Sequence, residues 1–288
     1  MGKPAIRLGA AGALAVVALG CAHPPPAQAP EQSEERRLAV AEGWLQGSSV
    51  GIGPSVPLIL LHDIGGDHHV FDAQIAEFRG GRRVLAFDQR GCGSSSDSPG
   101  GRYDLETRVK DLGSVLDAIR FEAVVLVGHG AGAQVVARYA ERNPGRVLGL
   151  ALLDPLSDSV EASRIAGLPG VDFRNALERW FDTLLAGSRP ETRERVTASL
   201  RVSREPALRA MLADAGGSEL AKAVAGYPGP VLVLASPRET LPRDLRAGVV
   251  IKRAAGGSHW SPLDVPEEVN AALWELLKPL DEGARRRP

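Results

Sequence analysis

Cysteine is nearly absent from this sequence. Cys21 and Cys92 are the only two in 288 residues, so no disulfide framework can hold the fold. Charge of one sign is missing too: 34 Lys and Arg stand against 35 Asp and Glu, which gives no reason to expect a nucleic-acid or polyanion partner. No period of about 20–50 residues recurs, which excludes solenoids and propellers. No apolar run reaches the roughly 20 residues needed to span a bilayer. What is present is a 44% hydrophobic chain, enough for one sizeable core once a short leader is set aside.

That leader has three parts. Lys3 and Arg7 precede an apolar run from Leu8 to Gly20, which ends in the small-residue sequence VALGC. The ending resembles the lipobox of bacterial lipoproteins, and the resemblance implies cleavage after residue 20 and acylation of Cys21. Cleavage after the AQA at Ala27 to Ala29 would leave Pro30 just past the cut, which signal peptidases resist. Residues 21–35, rich in Pro, Ala and Gln without apolar period, read as an extended tether. Ala22, in place of an aspartate after the cysteine, implies sorting to the outer membrane, facing the periplasm. The lipid would then be the only attachment to a membrane.

Beyond the tether, strand-length apolar runs recur at Val56–Leu61, Arg83–Phe87, Ala123–Val127, Val147–Leu153, Val231–Ala235 and Gly248–Ile251. They are apolar on both faces, as strands of a parallel sheet covered by helices must be. Helical spacing separates them, as in Val109, Leu112, Leu116 and Ile119, and a last helix is announced by Asp264 and Pro266. Such alternation predicts a doubly wound α/β sheet, its core formed by residues 36–155 and 228–288. Leu38 to Val50 reads as antiparallel edge strands. Residues 156–227 contain no strand-like run, and Leu177, Trp180, Phe181, Leu184 and Leu185 trace a helical stripe. This insertion reads as a helical cap over the strand C-termini, where ligands bind in such sheets.

Five motifs follow in order: LLHD at Leu60–Asp63, DQRGCGSS at Asp88–Ser95, GHGAG at Gly128–Gly132, ALLDP ending at Pro155, and GGSHW at Gly256–Trp260. Together they closely resemble the α/β-hydrolase family, over about Val56 to Leu277. The resemblance implies the α/β-hydrolase fold and a strand-to-helix turn of the form G-x-S-x-G. In that turn a strained backbone lifts a serine above the sheet, a histidine takes its proton and an acid orients the histidine. Here the serine position is Gly130, which has no side chain to attack with. The resemblance assigns the histidine to His259 and the acid to Glu239, with Asp154 as the alternative. It assigns the oxyanion hole to the backbone amides of Ala131 and Ile64. A second departure is Asp63, where the family has glycine beside His62. An inward-facing aspartate there would oppose developing negative charge.

Other chemistries are weaker. Cys92 lies in a structural loop, and Ser258 and its neighbour His259 point apart on an extended loop. The histidines His62, His68, His69, His129 and His259 show no ligand spacing that matches a metal site, and the family uses no metal or other cofactor. Two functions stay open. One is an inactive or weakly active homologue that binds a small apolar molecule or an envelope protein in a capped pocket. The other is a hydrolase of esters or lactones in which His259 and Glu239 activate a water in the space beside Gly130. In either case Gly130→Ser is expected to raise ester hydrolysis and lower stability.

Overall fold

The protein is seen in a computed structural model that describes residues 2, 34–157, 159–215, 217–242 and 244–285. Cys21, nearly all of the leader and nearly all of the tether lie outside the described residues. The chain opens with a hairpin, β1 (Glu34–Val40) and β2 (Gly43–Val50), which is the expected antiparallel edge. Then come β3 (Ser55–Leu61), a 3-10 turn at His68–Phe71, α1 (Asp72–Phe78), β4 (Arg82–Phe87), α2 (Leu105–Ala118), β5 (Val124–His129), α3 (Ala131–Arg142) and β6 (Val147–Leu153). Five helices follow among the described residues: α4 (Ser159–Ala166), α5 (Gly170–Leu184), α6 (Pro190–Val202), α7 (Glu205–Ala213) and α8 (Gly217–Gly226). The chain returns through β7 (Val231–Ala235), β8 (Val250–Arg253), α9 (Ser261–Asp264) and α10 (Pro266–Arg285).

The eight strands form one sheet in the order β1-β2-β4-β3-β5-β6-β7-β8, parallel from β4 through β8. This is the α/β-hydrolase fold, a doubly wound, mostly parallel sheet. Alternation along the strands divides the core in two. Leu58, Leu60, Val125 and Val127 face one cluster, with α1, α10 and the helical insertion. Ile59, Leu61, Val124 and Leu126 face the other, with α2 and α3.

The insertion differs from expectation at its end. Leu220, Ala223 and Val224 of α8 join the second cluster, beside Val135 and Val136 of α3. The last helix of 156–227 therefore flanks the sheet, whereas α4 to α7 pack with the first cluster. The edge strand β8 also starts two residues later than its apolar run, because Gly248 at φ 84° is still turning.

Candidate functional site

Four segments meet at the C-terminal edge of the sheet: the loop after β3, the turn between β5 and α3, the loop after β7 and the loop before α9. The turn is built by close approach. A Cβ on Gly132 would press on the carbonyl oxygens of Leu61 and His62, so only glycine lets α3 start against β3. Gly130 holds φ 52° and ψ −117°, outside the allowed regions for residues with a side chain. Its N–H donates to the Leu153 carbonyl at 3.0 Å, which ties the turn to the end of β6.

Directly above Gly130 sits the Asp63 carboxylate, turned inward. A Cβ built on Gly130 would overlap Asp63 Oδ1 and Cγ and lie 2.6 Å from Oδ2. Oδ1 accepts the backbone N–H of Ala131 at 2.6 Å, and Oδ2 accepts from His259 Nε2 at 3.0 Å. His259 Nδ1 donates to Glu239 Oε2 at 2.9 Å. A carboxylate, an imidazole and a second carboxylate thus form one chain. The Asp63 and His259 side chains are each only 1% exposed.

The electrostatics follow from this chain. Burial opposes charge on His259, but the flanking Glu239 and Asp63 carboxylates outweigh it and hold the imidazole well above its ordinary range. Burial likewise opposes the Asp63 carboxylate, yet its bond to His259 keeps it below the usual Asp range. Both ring nitrogens of His259 face carboxylate oxygens, an arrangement that favours the protonated imidazole.

The residues around the chain are immobilised. His129 Nε2 donates to the His259 carbonyl at 2.8 Å, and burial pushes its pKa down to about 4. His62 Nδ1 donates to the Asp63 carbonyl at 2.6 Å while Nε2 accepts the Gln89 N–H at 2.8 Å. Both rings act as neutral struts. Asp154, bent to φ 43°, accepts from the backbone N–H groups of Ser236 at 2.6 Å and Ser261 at 3.2 Å. Burial pushes its pKa up to about 6. Of the two acids considered, it is Glu239 that reaches His259.

Residues 56–214, more than half of the chain, match the α/β hydrolase fold family. The chain belongs to that family. It is 34% identical over 95 residues to the AB hydrolase superfamily protein YisY of Bacillus subtilis, covering 33% of this chain and 35% of that protein. The chain spans about a third of the length of the first curated relatives it matches. A longer alignment, 26% identical over 277 residues, covers 91% of this chain and 73% of the dihydrolipoyllysine-residue acetyltransferase component of the acetoin cleaving system of Pseudomonas putida. Among solved structures, a thermophilic esterase from Thermogutta terrifontis superposes with TM-score 0.71 at 23% identity, over 86% of this chain and 100% of that one. A hydrolase from Pseudomonas aeruginosa PA01 gives 0.73 at 24%, over 86% and 99%. At these identities the solved structures speak for the fold alone.

Ile64 follows Asp63 in the loop after β3, and Gly130, Ala131, His259 and Glu239 meet at this edge. Cys92 does not: it is buried, and desolvation pushes its thiol up to about 12, far from a thiolate at neutral pH. Ser258 Oγ donates to Asp264 Oδ2 at 2.5 Å, and its backbone N–H reaches the same oxygen at 2.9 Å. It closes a turn. Sequence reasoning had Asp63 as a departure of unsettled direction. The signal that orients it is complementary volume, since Asp63 places its carboxylate where Gly130 has no side chain.

Helices α5, α6 and α7 line an open pocket of about 220 Å³. Phe173, Leu177, Phe181 and Leu208 stand on its lining with two cations, Arg174 and Arg201, and two anions, Glu178 and Asp182.

Proposed function

We propose that this α/β-hydrolase-family protein is a non-hydrolytic homologue in which the Asp63 carboxylate fills the place of a serine nucleophile. Its binding capacity then resides in the cap, for a small apolar molecule. The observation that carries this reading is the position of Asp63, which lies over Gly130, on the Ala131 amide and on His259 Nε2 at once. A serine mechanism needs a hydroxyl where Gly130 offers none, and an amide free to stabilise an oxyanion. Asp63 takes that amide and brings negative charge to where negative charge would develop. Water activation is disfavoured by the same arrangement, because Asp63 fills the space and His259 already holds its proton.

The test is a panel of ester, lactone and thioester substrates assayed with the wild type and His259→Ala. No hydrolysis that depends on His259 is expected. Turnover that disappears in His259→Ala would overturn the reading. The cap cavity, where Phe173, Leu177, Phe181 and Leu208 stand with the charged pairs Arg174, Arg201 and Glu178, Asp182, is the place we assign to the small apolar molecule. As a further part of this proposal, Cys21 is acylated and anchors the protein to the periplasmic face of the outer membrane, motivated by VALGC after a short apolar run. Mass spectrometry of membrane-extracted protein should find a diacyl or triacyl Cys21 as the first residue. A soluble, unmodified mature chain would refute the anchor.

A further inference from the structure

A second cluster of ionisable groups lies where β1 meets the turn before α1, apart from the Asp63 site. Two consecutive histidines are presented there by the capping of the 3-10 turn. Asp67 accepts the backbone N–H of His69 at 3.0 Å, and Asp88 Oδ1 accepts that of His68 at 2.7 Å. Each imidazole is then oriented by a carboxylate. His68 Nδ1 donates to Asp88 Oδ1 at 2.7 Å, and His69 Nδ1 donates to Asp72 Oδ1 at 3.2 Å. Both rings therefore offer Nε2. The rings stack with centroids 4.1 Å apart.

From β1, Glu35 reaches across to the same place. Its Oε1 lies 3.4 Å from His68 Nε2, and its Oε2 accepts from the Gln46 side-chain amide. The three residues bring one ligand atom each within 4.8 Å of the others. A separation of 3.4 Å is long for a charge-assisted hydrogen bond, which closes to about 2.7–2.9 Å. It equals the edge of a tetrahedron whose corners lie about 2.0–2.1 Å from a central ion, roughly 3.3–3.4 Å. The oriented imidazole, with a carboxylate on its far nitrogen, is the arrangement that holds histidine ligands on metals.

We propose that Glu35, His68 and His69 form a binding site for a divalent transition-metal ion of the zinc class. His68 is buried, whereas the side chains of His69 and Glu35 are each 49% exposed, which leaves the ion open to solvent. Two imidazoles and a carboxylate match the donor preference of zinc over calcium or magnesium, and solvent supplies the fourth ligand. The bound ion would tie β1, the first strand after the tether, to the loop that carries Asp63. The proposal is independent of whether the Asp63 site is catalytic.

The test is titration of the full chain, without a histidine tag, with zinc chloride by calorimetry, together with its thermal midpoint. One equivalent per chain and a rise in midpoint are expected, since an ion that binds only the folded state stabilises it. Glu35→Gln and His69→Gln sit on the surface and should fold, and each should weaken binding by about 10–100-fold or more. A wild type that takes up no zinc would overturn the site. So would affinities within about twofold of wild type in both variants, because the zinc would then sit elsewhere.

Discussion

The sheet edge around Asp63 and the pocket between α5, α6 and α7 are opposites. At the sheet edge, Asp63, His259 and Glu239 satisfy one another, and the space over Gly130 is filled by protein. Between α5, α6 and α7, the chain leaves about 220 Å³ lined by Phe173, Leu177, Phe181 and Leu208. The first place spends its donors and acceptors on itself. The second keeps an unfilled space, with Arg174, Glu178, Asp182, Thr197 and Arg201 on its lining beside the apolar residues. The pocket between α5, α6 and α7 has neither Asp63, Gly130 nor His259 on its lining.

The largest expected effect comes from cutting the chain of charges. His259→Ala leaves two buried carboxylates without their cation and should cost about 3–5 kcal/mol in urea unfolding at neutral pH. Its sign with pH is definite. His259 has a raised pKa in the folded protein, so its contribution is complete below about pH 6.5 and is lost as pH rises toward the folded value. In that window the stability difference between wild type and His259→Ala should shrink by about 1.4 kcal/mol per pH unit. Asp63, whose pKa is lowered, loses its contribution only as pH falls into the acid range. A difference that stays flat above pH 6.5 would mean that His259 is neutral, and the contrast between a self-satisfied site and an open cavity would weaken.

A smaller effect tests the exchange of volume between Gly130 and Asp63. Gly130→Ser alone places a side chain on a backbone at φ 52° and drives it into the Asp63 carboxylate. Strain of about 1–3 kcal/mol and overpacking of similar size should lower stability, with no gain in ester hydrolysis. That corrects the expectation drawn from sequence, in which the single change alone raised hydrolysis. Asp63→Gly with Gly130→Ser should be less destabilised than the sum of the two single changes, by at least about 1 kcal/mol. Removing Asp63 also takes away one of the two anions that keep His259 protonated. Only the double variant should therefore recover part of the roughly millionfold rate that a missing serine costs. Additive stabilities would show that the two positions do not share space.

How much of this was legible beforehand depends on the range of the interaction. Strands such as β6 and β7 were readable to the residue, because an apolar run between glycine- and proline-rich turns leaves a buried parallel strand little alternative. The meeting of Gly130, His259 and Glu239 was readable through the ordered motifs. The direction of Asp63 was not, since a loop residue's torsions are set by what surrounds it, here an amide and an imidazole 68 and 196 positions away. The end of the cap was missed for a related reason. The helical period of α8 is the same whether it covers a pocket or flanks α3, and only Leu220 and Val224 meeting the second core decides. Glu35 and His68, 33 positions apart, carried no common signal at all.

The smallest effect probes the open side of the comparison. Leu177→Phe adds volume at the cavity wall, and because there is space to accept it the cost in thermal stability should stay below about 1.5 kcal/mol. An anilinonaphthalene sulfonate dye should bind the wild type in this pocket. In Leu177→Phe the binding should weaken markedly, by tenfold or more if one ring's worth of space is lost, about 1.4 kcal/mol. The His259→Ala protein should bind the dye as the wild type does, since neither His259 nor Asp63 lines the cavity. The decisive readout is the pair of variants side by side. Dye binding lost in His259→Ala but kept in Leu177→Phe would place the ligand at the sheet edge, which would then open in solution. Binding lost in Leu177→Phe alone would leave the sheet edge sealed and the cap as the part of this fold that still meets small molecules.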